Sequence, residues 1–87
     1  MKINNATEFS EMIKAGPYAW PGCYPIYFVT SDCEVMSFEA AKKNEHLICE
    51  AIKDEDNSGW RVVGAEINYE ESLFCAHTGK PIEAAYA

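Results

Sequence analysis

Several features that would place this chain in a familiar functional class are missing from its sequence. It has no run of about 18 apolar residues, so we expect no membrane-spanning helix. Residues 1–14 carry a charge every few positions and contain no apolar core segment, so we expect no export signal and a cytoplasmic location. A glycine-rich phosphate loop, a nucleophile elbow and a paired-carboxylate motif are also missing, and we therefore predict that the protein is not an enzyme.

Basic residues are scarce. Seven Lys and Arg stand against 14 Asp and Glu, which gives a formal net charge of −7. Such a surface repels the phosphates of nucleic acids and anionic lipids and favours basic protein partners. The same charge also keeps a small protein in solution without any specific partner, and composition leaves both interpretations open. We expect neither direct nucleic-acid binding nor membrane binding.

Cysteine and histidine are few, which limits metal chemistry. Four cysteines in a short chain can form two disulfides in an oxidising compartment, but without an export signal we expect free thiols. Cys75 and His77 are the candidate metal ligands, because residues 75–82 have the outline of half a zinc ribbon. A structural zinc site needs four ligands, and the other Cys and His residues stand at spacings that match no standard pattern. We therefore expect no cofactor, with zinc as the alternative.

The length of the chain, residues 1–87, fits one α+β domain with a single core. Asn5 is placed to cap a short helix over residues 6–15. A longer helix is predicted over residues 38–53, with Ser37 as its N-cap. The apolar stripe of this longer helix consists of Phe38, Ala41, Leu47, Ile48, Ala51 and Ile52.

β-branched and aromatic residues predict a small antiparallel sheet of three or four strands, packed against the long helix. The strands are placed at residues 26–30, 34–36 and 60–69, with residues 73–75 as the candidate fourth. Apolar and polar residues alternate from Val63 onward. This alternation predicts Tyr69 on the buried face, and Glu66 and Asn68 on the solvated face.

Residues 18–25, with the sequence YAWPGCYP, form a turn-rich connection that is unusually apolar. One interpretation is a lid that folds over the sheet edge and completes the core of a small domain. The other is a partner contact through Trp20 and Tyr24, because Trp and Tyr are favoured anchors at interfaces.

Three segments carry a resemblance to a known family. Residues 19–30 (AWPGCYPIYFVT), 59–63 (GWRVV) and 77–86 (HTGKPIEAAY) resemble a family of small uncharacterised proteins from phages and prophages. The resemblance covers most of the chain from residue 18 onward. It implies a phage or mobile-element origin and assigns no reaction.

The resemblance also implies a comparison with zinc ribbons. Some members of the family carry one Cys-x-x-Cys at the start of the main helix and another near the C-terminus, as a four-thiolate zinc ribbon does. The corresponding positions here are Ser37, Ala40, Cys75 and Thr78. Three of the four ligands are therefore missing, which puts the metal in doubt and leaves the fold unaffected. Ser37 still caps the helix, and Gly79 still allows the turn.

A phage origin favours a protein that binds a host protein, as anti-CRISPR proteins and other inhibitors of host defence do. Machines that handle nucleic acid present grooves lined with Lys and Arg, where an acidic surface can occupy the place of a phosphate backbone. The residues predicted to contact such a partner are Asp54, Glu55, Asp56, Glu66, Glu70 and Glu71, with Trp20 and Tyr24. With an extended strand between them, the outer carboxylate clusters lie roughly 35–45 Å apart.

Three functional hypotheses stay open. The first is a cytoplasmic inhibitor that uses its acidic face on a host protein, such as a CRISPR effector subunit or another basic nucleic-acid-handling machine. The second is a metal-binding, degenerate zinc-ribbon-like accessory module. The third is a structural or regulatory phage protein without inhibitory activity. Unpaired strand edges make a dimer an open alternative in each case.

Overall fold

Residues 2–19, 24–55 and 59–85 are described by the computed structural model, and they form an α+β fold. The elements are α1 (Ala6–Ala15), β1 (Tyr18–Ala19), β2 (Tyr24–Thr30), β3 (Val35–Ser37), α2 (Phe38–Lys43), α3 (Glu45–Lys53) and β4 (Val62–Ile67). The predicted combination of a small antiparallel sheet with helices is confirmed.

The first helix has the bounds that its capping residues predict. The Asn5 side chain accepts a 2.9 Å hydrogen bond from the Glu8 backbone N–H, and Glu8 Oε1 accepts one of 2.7 Å from the Asn4 N–H. This reciprocal pair satisfies donors that the first turn of a helix leaves unbonded. Gly16 ends the helix with a φ of 101°, a conformation that glycine adopts without steric cost.

The centre of the sheet is β2, which is hydrogen-bonded along both edges. On one edge it pairs antiparallel with β4. On the other edge, Ile26 N donates to Pro17 O and Thr30 N donates to Glu34 O. Because alternate residues of a strand direct their backbone groups to the same edge, β1 and β3 follow each other along this second edge. Within the described residues, the sheet therefore contains four strands but is three strands wide.

The strand that carries the predicted alternation is shorter than 60–69, and the predicted alternation is wrong at its C-terminal end. A bulge lies in the β2–β4 pairing, where Val29 is opposite Gly64 and Thr30 is opposite Val62. The extra residue resets the alternation, so Val62 is buried. After β4 ends, Asn68 is 2% exposed and Tyr69 is 50% exposed, the reverse of the predicted orientation.

Residues 73–75 do not form a strand. Phe74 makes an isolated bridge to Pro81, and residues 73–82 fold back on themselves as a small irregular hairpin, here called the C-terminal hairpin. Cys75 N donates to Lys80 O at 2.9 Å, and Gly79 N donates to Cys75 O at 2.8 Å. The turn needs Gly79, whose φ is 72°.

The prediction of one long helix over residues 38–53 is wrong, because the segment is divided at Asn44 into α2 and α3. The Asn44 side-chain amide donates to Ala40 O at 2.9 Å, and its backbone has φ −112° and ψ 25°. An Asn side chain that competes for a helix carbonyl favours such a break. Leu47, which was predicted in the apolar stripe, is 47% exposed. No helix in the described part of the chain has the length and apolar character needed to cross a membrane.

The core lies between one face of the sheet and the helices. Phe28 of β2 contacts Phe9 edge-on, with ring centroids 5.3 Å apart, and stacks on Phe38 at 6.1 Å. Such aromatic pairs contribute about 0.5–1.5 kcal/mol beyond the burial of their area. Cys75 and Ile82 of the C-terminal hairpin are buried in the same cluster, so this hairpin completes the core.

Candidate partner-binding surface

Two of the predicted carboxylates, Glu66 and Glu71, act on the same tyrosine of the sheet, Tyr27. Glu66 lies across from Tyr27 in the β2–β4 register, and the next pair along, Phe28 and Ala65, is fully buried. Successive residues of a strand project to opposite faces, so Tyr27 and Glu66 point away from the core. Burial raises the pKa of Tyr27, and the negative charges of Glu66 and Glu71 raise it further. Glu71, in the chain after β4, is therefore close enough to Tyr27 for its charge to act on the phenol.

Two further tyrosines lie at the end of the sheet, where β2 begins and β4 has ended. Tyr24 rests edge-on against Tyr69, with ring centroids 5.3 Å apart and an interplanar angle of 60°. Tyr69 also lines a shallow hollow of about 160 Å³ together with Glu66. We call the patch formed by Tyr24, Tyr27, Glu66, Tyr69 and Glu71 the Tyr–Glu surface. It combines aromatic contact area with exposed carboxylates, the two residue types predicted to contact a partner.

A buried amide positions the loop that carries Glu71. The Asn68 side chain donates to Glu71 O and to Glu83 O, each at 3.1 Å, and accepts from Glu71 N at 3.0 Å. Its backbone N donates to Pro25 O and its backbone O accepts from Ala85 N. Every polar group of Asn68 thus has a partner, which is what allows it to be buried.

The remaining predicted contact residues lie elsewhere or outside the described residues. Glu70 is exposed next to Glu71. Asp54 and Glu55 are exposed at the C-terminal end of α3, where Arg61 donates to Glu55 O at 3.3 Å. They stand before β4, whereas Glu70 and Glu71 follow it. With 6 residues, β4 accounts for only about 20 Å of the separation predicted between the two clusters. Trp20 and Asp56 lie outside the described residues.

The four positions that the resemblance maps onto a zinc ribbon come together in space. The backbone N–H and hydroxyl of Ser37 and the hydroxyl of Thr78 hydrogen-bond to the sulfur of Cys75. Ala40 N in turn donates to Ser37 Oγ at 3.2 Å. The C-terminal hairpin is held here by Ala76 N, which donates to Val35 O at 2.9 Å. Of these four positions, Cys75 alone is a thiol, and its sulfur is held by hydrogen bonds from two of the others.

These hydrogen bonds change the acidity of the thiol. Burial raises the pKa of Cys75, but donors from Ser37, Thr78 and the His77 backbone outweigh it and lower the pKa from its ordinary value of 9.0 to about 7. Hydrogen bonds to a charged group favour its charged form. Cys75 is only 1% exposed, so this thiolate is screened from solvent reagents.

His77 is directed away from Cys75 and does not complete a metal site. Its ring stacks on Trp60, with centroids 4.3 Å apart, and its Nε2 lies 2.9 Å from Gly59 O. Within residues 2–19, 24–55 and 59–85, no three His, Cys, Asp or Glu side chains are grouped to hold a metal ion. The donors around Cys75 are hydroxyl and N–H groups, which do not fit a structural zinc site.

Comparison with known proteins leaves this surface without a precedent. No family model matches the chain, and neither a curated protein nor a solved structure matches it significantly. The functional conclusion therefore depends on the geometry above and on the resemblance carried by residues 19–30, 59–63 and 77–86.

Proposed function

We propose that this chain is a cytoplasmic binding protein of phage or mobile-element origin that inhibits a host protein machine, of the anti-CRISPR or another anti-defence kind. The observation that supports it is the Tyr–Glu surface, where Glu66 and Glu71 lie near Tyr27, and Tyr69 contacts Tyr24 and lines a hollow with Glu66. The phage origin and the inhibitory role are implied by the resemblance alone.

The distance between lysines and carboxylates in the described residues also supports the proposal. The ion pair found among the described residues joins His46 and Glu50, at 3.3 Å on an exposed helix face. No lysine lies within 4 Å of a carboxylate in the same part of the chain. Glu66 and Glu71 are therefore not neutralised by a neighbouring lysine, and their potential extends toward an approaching partner.

The two residue types contribute to binding in different ways. Exposed carboxylates on a rim accelerate association with a basic partner and make it sensitive to salt. Tyrosines lose little conformational entropy on binding and bury a large area, so they slow dissociation. The proposed partner is therefore a protein whose nucleic-acid groove exposes Lys and Arg next to an apolar pocket.

The proposal is tested by measuring binding to purified CRISPR effector complexes, free of their target DNA, over a series of salt concentrations. We expect binding that weakens as salt rises. The double variant Glu66→Lys plus Glu71→Lys reverses the local charge and should weaken binding by about tenfold or more. The matched control, Glu11→Lys plus Glu34→Lys, changes the net charge equally at exposed positions outside the Tyr–Glu surface and should weaken it much less.

Equal weakening in both double variants would show that only the total charge matters. Unchanged binding in the Glu66 and Glu71 variant would remove the Tyr–Glu surface from the explanation. Phage plating on hosts with and without their immune systems then tests inhibition itself. Equal plating on both hosts contradicts an anti-defence role.

The second candidate is a degenerate zinc-ribbon-like accessory or regulatory phage protein with no inhibitory activity. The hydrogen bonds from Ser37 and Thr78 to Cys75, with Ala40 bonded to Ser37, favour it specifically. In that case the hairpin is a structural remnant that a hydrogen-bonded thiolate now stabilises. Elemental analysis of the purified protein should find no stoichiometric zinc, whereas one zinc per chain would contradict this description of the hairpin.

A further inference from the structure

A groove of about 770 Å³ separates α2 from the C-terminal hairpin and is bounded at one end by the β1 region. Its apolar lining includes Pro25, Ile26, Phe38 and Ile82. This volume lies within the range of small-molecule sites, which are mostly apolar clefts with a few polar groups that fix orientation.

Lysines stand on two sides of this groove. Lys42 and Lys43 line it from the last turn of α2, and Lys80 lines it from the C-terminal hairpin. These are three of the 7 Lys and Arg residues in a chain of net charge −7. Basic residues are thus concentrated around an apolar surface while the carboxylates dominate elsewhere.

The three ammonium groups are available to a ligand. None of them is within 4 Å of a carboxylate in the described residues. Glu39 and Glu83 also line the groove, but Glu83 Oε1 accepts a 3.0 Å hydrogen bond from the Tyr18 hydroxyl. An excess of cationic groups over an apolar floor favours a ligand that is both apolar and anionic.

We propose that this groove binds a small amphipathic organic anion, with an apolar body on the floor and a carboxylate, sulfonate or phosphate group between Lys42, Lys43 and Lys80. An extended peptide fits the groove less well. Pro17, Pro25 and Pro81 line it and have no backbone N–H, so few donors are present for strand addition. This site is distinct from the Tyr–Glu surface, and its existence does not depend on the proposed function.

The test uses the full chain and anilinonaphthalene sulfonate, an amphipathic anion whose fluorescence rises in an apolar site. We expect saturable binding of one probe per chain and displacement by decanoate, but little displacement by uncharged decanol. Amide chemical-shift changes should be confined to α2, the β1 region and residues 78–83. Changes centred on Tyr69, or binding without saturation, would overturn the proposal.

Charge-matched variants separate the groove from general electrostatics. Replacement of Lys42, Lys43 and Lys80 by Gln should weaken probe binding by about tenfold or more. The control replaces Lys2, Lys14 and Lys53 by Gln, which removes the same charge from exposed positions outside the groove and should change the affinity little. Equal effects in the two triple variants contradict the site. Displacement of the probe by an acidic peptide as strongly as by decanoate would assign the groove to a protein segment instead.

Discussion

Asn68 shows at the scale of one residue how a buried polar side chain can organise a surface. Its amide satisfies three backbone groups of residues 71 and 83, and its own backbone bonds to Pro25 and Ala85. Removal of one partner from a buried hydrogen bond leaves the other with its full desolvation penalty, about 1–3 kcal/mol. Three backbone groups, the Glu71 N–H and the carbonyls of Glu71 and Glu83, have the Asn68 side chain as a hydrogen-bond partner.

We predict that Asn68→Ala lowers the free energy of unfolding by about 2–4 kcal/mol, since it leaves the Glu71 N–H and two carbonyls without partners. Urea denaturation at neutral pH measures this loss. Asn4→Ala is the matched control, because Asn4 is exposed, and it should change stability by less than about 0.5 kcal/mol. A loss for Asn68→Ala as small as that of the control would contradict the role given to this amide.

Cys75 gives the folded state a dependence on pH. Its pKa of about 7 lies below the ordinary value of 9.0, so between these values the unfolded chain binds more protons than the folded chain. Stability therefore rises with pH from about 7 to 9, is fully gained above 9 and is lost as pH falls through 7. We predict a rise of about 2–3 kcal/mol in the free energy of unfolding, measured by denaturation under reducing conditions.

The variant Cys75→Ala should lose most of this rise, whereas Cys33→Ser, at an exposed thiol, should retain it. The raised pKa of Tyr27 acts at higher pH, because its contribution is present below 10 and is lost as pH rises through its folded value. An identical pH profile in Cys75→Ala and the parent chain would show that the thiol does not ionise preferentially in the folded state.

At the scale of elements, the C-terminal hairpin and the start of α2 form one unit. Ser37 caps α2 through its hydroxyl and also donates to the sulfur of Cys75, so the two elements share a hydrogen-bonded junction. Thr78 reaches the same sulfur from the hairpin turn. This junction contains the four positions that the resemblance maps onto a zinc ribbon, of which only Cys75 is a thiol.

We predict that Ser37→Cys, Ala40→Cys and Thr78→Cys together create a zinc site, because Ser37 and Thr78 already contact the Cys75 sulfur and Ala40 contacts Ser37. The expected result is one zinc per chain and, with cobalt, the absorption of a tetrahedral thiolate site. A control with Ser31→Cys, Ser72→Cys and Thr7→Cys adds the same number of thiols without bringing them together and should bind no stoichiometric zinc. Equal zinc binding by both variants, or none by the first, would contradict the geometry.

The short-range signals in the sequence were sufficient for some elements. The Asn5–Glu8 pair and Gly16 determine α1 locally, and the run of β-formers before Thr30 determines most of β2. The break at Asn44 was missed, because an Asn within an apolar stripe is read as a solvent-facing helical residue unless its bond to Ala40 is known. The bulge at Val29 and Thr30 depends on pairing between distant segments, and no pattern within β4 reveals it.

The Tyr–Glu surface shows the same difference between local signals and contacts between distant segments. Composition and position indicate Glu66 and Glu71, but the register of β4 places Glu66 beside Tyr27, and the Asn68 hydrogen bonds hold the loop that carries Glu71. Tyr69 was missed as a surface residue, because strict alternation places it in the core after the strand has in fact ended. A turn former such as Asn68 next to it was the available signal.

At the scale of the whole molecule, the exposed edges of the sheet are partly covered by the chain itself. Lys2 bridges to Gly64 and Ile3 N donates to Val63 O at 3.0 Å, which occupies the outer edge of β4. Ala76 N donates a hydrogen bond to Val35 O on the outer edge of β3. Covered edges and a net charge of −7 both oppose edge-to-edge association.

We therefore predict that the purified chain is a monomer over a roughly hundredfold range of concentration at physiological salt. Sedimentation equilibrium measures this directly. A mass that rises toward that of a dimer would contradict the covering of these edges, and would identify β1 or the Tyr–Glu surface as the place to look for contact between copies.

The hydrogen bonds of the Asn68 amide connect the Tyr–Glu surface with the groove lined by Lys42, Lys43 and Lys80. One of its donors holds the carbonyl of Glu71, whose carboxylate belongs to the Tyr–Glu surface, and the other holds the carbonyl of Glu83, whose side chain lines the lysine groove. A small anion bound in the groove and a protein bound to the Tyr–Glu surface would thus both act on the hydrogen bonds of the Asn68 side chain. By thermodynamic linkage, the factor by which one ligand changes the affinity of the other must be the same in both directions.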